Sequence, residues 1–182
     1  LKAKTDGFMD GVHTLRDTHA ADVVVLVTES LESGLFGIAF IMGTVSNAFE
    51  DSAFCVLRRS RLTGGFTFAH ELGHVMGARH DWAGDPTDNS PHHFNHGHGV
   101  PAPADPAVGA WRTVMARNAL GGTRLPFWSN PALDFPNGAA LFDPMGTSAE
   151  PRPTDNTQTL NLTAPTVANF RCSSPSAPDV WM

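Results

Sequence analysis

Residues 70–81 read H-E-L-G-H-V-M-G-A-R-H-D, and no other stretch limits the fold of this chain so tightly. On a helix with about 100° between successive residues, His70 and His74 lie about 40° apart, one turn above the other. Glu71 stands about 100° from His70, close enough to reach a water beside a metal without binding the metal itself. Phe68, Leu72, Val75 and Met76 gather on the other side and are expected to form a buried apolar face. Gly77 can take a left-handed conformation, so it is expected to end the helix and turn the chain until His80 becomes a third ligand. Three histidines leave a fourth position open for water, which is the arrangement of a catalytic zinc ion. A structural site would close with four protein ligands, often cysteines. Cys55 and Cys172 both lie outside this stretch.

An isolated H-E-x-x-H also arises on ordinary amphipathic helices. The extension to His80 and Asp81 matches the longer form H-E-x-x-H-x-x-G-x-x-H, the signature of the metzincins. Downstream, Trp111-Arg112-Thr113-Val114-Met115-Ala116 offers the methionine turn such enzymes place beneath their ligands. In isolation, Met115 reads equally as a core methionine. The segments Val12–Asp17, Ala21–Val27, Gly37–Phe40, Phe68–His74, Trp128–Pro131 and Thr166–Arg171 resemble one metzincin family, the peptidyl-Asp metalloendopeptidases of Asp-N type. The resemblance spans nearly the whole chain. It implies an α+β catalytic domain: a twisted mixed sheet with an active-site helix, then an irregular lower part ending in a helix. One domain over 1–182 is expected, with an upper subdomain over about 1–80 and a lower one over about 81–182.

Two departures from that pattern matter. The chain has no tyrosine, and Arg117 stands two residues after Met115, where astacin-like and serralysin-like enzymes carry a metal-binding tyrosine. Residues 1–20 resemble the helix before the third strand of a metzincin sheet. Two strands and a helix expected upstream have no counterpart in the sequence, so either the chain, which begins at Leu1, is a fragment, which is the expectation, or the resemblance overstates what precedes it. The resemblance also implies a disulfide between Cys55 and Cys172, as in snake-venom-type relatives. It would be worth roughly 4–5 kcal/mol on the chain-entropy account. Two buried free thiols are the alternative.

A length of 182 residues suffices for one domain with a proper core. The net charge of −6, without a Lys/Arg cluster, argues against nucleic acid. No apolar run reaches the roughly 18 residues of a membrane span. Few lysines, 14 prolines and 17 glycines suit a loop-rich secreted protein, expected to be a monomer. The pattern predicts a helix over 6–18 with Phe8, Met9, Val12 and Leu15 on its buried face. It predicts a buried strand over 22–28, further strands over 36–42 and 53–57, and the metal-site helix over 66–78. A last helix is expected over 155–170, packing Leu160, Val167 and Phe170 beneath the methionine turn, unless Pro165 delays its start.

The expected chemistry is zinc-dependent hydrolysis of peptide or protein substrates, with Glu71 as general base. Asp81 is expected to be structural. The strand over 36–42 resembles the metzincin edge strand that pairs with an extended substrate. Family resemblance implies cleavage before aspartate, which calls for a cation beyond the scissile bond. Arg124 is the first choice and Arg117 the second, with Arg112 just upstream. An apolar preference, or a silent zinc-fold binding module, are the competing readings. Four histidines in 92–98 could capture a transition ion, or simply form a polar loop anchored by Phe94.

Overall fold

The computed structural model describes residues 1–32, 34–101, 109–117, 121–136 and 142–171. The upper part opens with helix α1 (Gly11–Thr18) and strands β1 (Val24–Thr28), β2 (Gly37–Ala39) and β3 (Phe54–Arg58). They form a mixed sheet in the order β1-β3-β2, with β3 parallel to β1 and antiparallel to β2. Helix α2 (Thr67–Val75) carries the H-E-x-x-H motif and lies against β2 and β3. The lower part holds short strands β4 (Gly99–Val100), β5 (Trp111–Arg112) and β6 (Thr123–Arg124), the hairpin β7 (Asn130–Pro136) and β8 (Phe142–Met145), and helix α3 (Asn156–Val167). The α+β architecture is the one expected from the sequence. Among the described residues no helix is long and apolar enough to cross a membrane.

The expected helix over 6–18 begins only at Gly11, because Met9 sits at φ 59° and breaks the α-helical path. Its expected apolar face is not buried: Phe8, Met9 and Leu15 are exposed. The packed side belongs instead to His13, whose ring tilts against Phe54, and to Arg16. Arg16 donates to the carbonyls of Ala21, Asp22 and Glu50 at 2.9, 2.5 and 2.6 Å, so backbone acceptors rather than apolar contacts fix this face. Strand β1 is half-buried rather than buried, since it is an edge strand with β3 as its sheet neighbour.

On α2, Phe68 is exposed and Leu72 and Met76 are half-buried, whereas His70, Glu71, Gly73, His74 and Val75 are buried. The sequence period marked one apolar side. Tertiary packing covers the polar side as well.

Helix α3 runs unbroken through Pro165. The ring removes a single amide donor near the last turn, and Asn161, whose carbonyl loses that bond, is exposed to water. Asp155 caps the start by accepting from the Gln158 amide at 2.8 Å. Leu160 joins Val114, Met115 and Ala78 beneath the motif, with Met76 and Trp128 against them. Val167 and Phe170 do not join them. They pack with Met42, Ala53 and Val75 under the sheet, because α3 spans both parts of the core.

Candidate metal centre and active site

The two helix histidines are each oriented by a backbone carbonyl. His70 donates from Nδ1 to the Val114 carbonyl at 2.9 Å, and His74 donates from Nδ1 to the Ala78 carbonyl at 2.9 Å. Fixing the proton on Nδ1 leaves Nε2 as a lone pair. Those Nε2 atoms each lie 3.2 Å from Nε2 of His80, and the three ligand atoms lie within 4.8 Å of one another. Nitrogens at about 2.0–2.1 Å from a tetrahedral zinc would stand roughly 3.3 Å apart. One proton on His80 could bridge to one neighbour but not to both. Facing lone pairs at such spacing fit a shared cation, and the residues present fit a metal ion. Burial holds all three imidazoles well below their ordinary range, at about 2 for His70, about 3 for His80 and about 4 for His74. Neutral ligands are what a metal requires.

Gly77, at φ 87°, makes the turn that returns His80 to the triad. Asp81, next in sequence, accepts the Arg117 amide at 2.7 Å through Oδ1 and the Gly84 amide at 3.2 Å through Oδ2. It thereby ties the segment after His80 to the segment after Met115. Met115 is buried beneath α2: its sulfur lies 2.9 Å from where a Cβ on Gly73 would stand.

The triad opens into a cavity of about 410 Å³ shared by Glu71, Arg117, Arg124 and residues of β2 and its flanks. Burial pushes the Glu71 carboxyl up to about 7, against a smaller downward pull from Arg124. Arg124 reaches the cavity because β6 pairs in parallel with β5. It donates to the carbonyls of Gly65 at 3.0 Å and Ala116 at 3.3 Å, and its buried Nε has no partner. Arg112 does not line the cavity. Its Nη1 donates to the carbonyls of Gly121, at 2.8 Å, and Gly122.

Residues 2–81 match the metallopeptidase family M12B, reprolysin-like. A peptidyl-Asp metalloendopeptidase of Pseudomonas fragi is 35% identical over 147 residues, covering 79% of this chain and 86% of that protein. The chain belongs to the peptidyl-Asp metalloendopeptidase family. Within it, proteins so named from Stenotrophomonas maltophilia and Xanthomonas campestris pv. campestris are 38% and 36% identical, each over 94% of this chain. This family member spans only 37% and 36% of their respective lengths. A chain in a solved structure of a chaperone-substrate complex superposes with a TM-score of 0.60 at 21% identity, covering 88% of this chain and 22% of that one. That likeness concerns the fold alone.

Three positions that pack around the site carry no individual role in the sequence pattern. Gly37 is one: a Cβ there would stand 2.5 Å from Oε1 of Glu71, so the strand lets the carboxylate lie directly against its backbone. Gly73 and Trp128 are the others, since a Cβ on Gly73 would also stand 2.9 Å from the Trp128 ring. A glycine inside a strand or helix signals a close approach, and that signal was available at both glycines.

The four histidines of the 92–98 loop separate. His92 stacks on Phe94, and His93 contacts Asp88 and Glu150. His96 contacts the carbonyls of His80 and Thr87, and His98 contacts Thr154. Among the described residues, His70, His74 and His80 are the group that could hold a metal. Cys55 is a buried free thiol, and its expected partner Cys172 lies outside the described residues.

Proposed function

We propose that this chain is a secreted zinc endopeptidase that hydrolyses peptide bonds on the N-terminal side of aspartate. The observation that carries this reading is the convergence of three Nε2 atoms beside a buried Glu71, in a cavity that also contains Arg124. His70, His74 and His80 would hold the zinc. When bound, zinc lowers the pKa of a water toward neutrality and polarises the scissile carbonyl. Glu71 takes the proton of the attacking water and returns it to the leaving amine. A carboxyl poised near 7 suits both transfers. The edge strand β2 borders the cavity, so an extended peptide can add to it as a further strand. One catalytic unit over 1–182, acting on peptide or protein substrates as a monomer, is part of the same reading.

Two features support the aspartate preference. Relatives 35–38% identical carry the name peptidyl-Asp metalloendopeptidase. Arg124 is half-buried in the cavity wall and braced by two carbonyls, and a guanidinium can receive a carboxylate with two parallel bonds. An apolar preference draws support from Leu35, Phe36 and Ile41 in the same cavity wall. A silent binding module would have no need of Glu71.

Two experiments test the proposal. Glu71→Ala should keep zinc and fold yet retain less than about a tenth of parental peptidase activity. Greater residual activity would mean that another group is the base. Cleavage-site profiling of a proteome digest should give cuts before aspartate, and Arg124→Ala should lose that preference. An apolar profile, or an unchanged preference in Arg124→Ala, would reject the aspartate reading or its residue.

A further inference from the structure

Two cations flank the histidine triad, and they are built differently. Arg124 is held by two carbonyls and its charge bears on Glu71 and His70. Arg117 lines the same cavity, and its charge disfavours protonation of His74 and His80. Its backbone is pinned by Asp81, the residue after the third candidate ligand. Its aliphatic stem crosses Gly84, with Cδ 2.7 Å from where a Cβ would stand, so the missing side chain at Gly84 forms its cradle. Yet the guanidinium itself has no hydrogen bond or ion pair among the described residues, although it lines the cavity. The stem is positioned and the charged end is left unpaired beside the reacting centre.

We propose that Arg117 is a second cationic catalytic group, which meets the negative charge developing on the scissile carbonyl oxygen while Arg124 holds the substrate carboxylate. This deepens the zinc endopeptidase reading and rests on it. In the addition step the water oxygen bonds to the carbonyl carbon, the π pair moves onto the carbonyl oxygen, and Glu71 takes the water proton. On collapse the pair returns, the C–N bond breaks, and Glu71 gives its proton to the departing nitrogen. Water is the only co-reactant. Arg117 faces full charge only between those two steps, so it lowers the barrier more than it tightens substrate binding. A peptide lying along β2 would cover the cavity and exclude water, and that strengthens the interaction at the moment it is needed. The division of labour follows from the orphan donors. A specificity receptor should be rigid before substrate arrives, as Arg124 is, whereas exposed Arg117 can close on a charge that forms later.

The test compares Arg117→Ala and Arg117→Lys with the parent. It uses matched fluorogenic peptides carrying aspartate or asparagine after the scissile bond, alongside zinc content and calorimetric binding of a phosphinic peptide that mimics the tetrahedral state. Arg117→Ala should lower kcat roughly 100-fold, as loss of one oxyanion donor does. KM, zinc content and the aspartate-to-asparagine ratio should stay near parental values, phosphinic-peptide affinity should fall, and Arg117→Lys should recover part of both losses. An unchanged kcat would overturn the proposal. So would a loss confined to aspartate peptides, which would make Arg117 a specificity residue, or loss of zinc in both variants, which would make it structural. An inactive parent chain would sink the peptidase reading and this inference together.

Discussion

Replacing Glu71 by glutamine should stabilise the metal-free protein, by an amount that grows with pH. Glu71 is 5% exposed, and burial raises its carboxyl from 4.5 to about 7. A carboxyl with a folded pKa above its unfolded one favours folding below the unfolded value, and that contribution is lost as pH rises through the folded value. Above about 7 the folded protein carries a buried carboxylate, at a cost of about 3 kcal/mol for this shift. Glutamine keeps the shape and never ionises. The stability gap between Glu71→Gln and parent should therefore widen by roughly 2–3 kcal/mol from pH 5 to pH 8. The lowered histidines act in the opposite sense, destabilising the fold as pH falls below their unfolded range, but they are common to both proteins and largely cancel in the difference. Urea unfolding followed by tryptophan fluorescence, in chelator, measures the gap at each pH. Added zinc should shrink it, because a cation beside the carboxylate favours its charged form. A gap that stays flat or narrows with rising pH would show that Glu71 is not the desolvated group described here.

Other substitutions probe the supports of the site. Gly37→Ala places a Cβ 2.5 Å from Oε1 of Glu71, so kcat should fall at least about tenfold while melting temperature and zinc content stay near parental; a fully active variant would free Glu71 of its dependence on this strand. Met115→Leu, close in volume in a buried setting, should cost less than about 1.5 kcal/mol in urea unfolding. Asp81→Ala strips the acceptor from the amides of Arg117 and Gly84 and should destabilise the fold by about 1–3 kcal/mol. Unchanged stability there would mean that water replaces the carboxylate.

The motif could be read from sequence because its geometry is local. Helical spacing alone brings His70 above His74, a left-handed residue is needed for the turn toward His80, and only Gly77 offers one there without strain. Partners that lie far apart in the chain were a different matter. The Val114 carbonyl that orients His70 stands 44 positions away, and the Gly65 carbonyl that braces Arg124 stands 59 away. Their meeting depends on how β5 and β6 pair and on where α3 wedges, which no local period encodes. The same holds for α1, whose apolar period pointed to Phe8, Met9 and Leu15 while the surrounding carbonyls selected Arg16. Thus the sequence by itself determined the family and which three histidines, with Glu71 beside them, would come together. Tertiary structure alone decided that Glu71 lies against a bare strand at Gly37 and that one arginine is braced while the other is left free. The physical reason is that spacing along a helix follows from backbone geometry, whereas burial, pairing and orphaned donors exist only once distant segments pack.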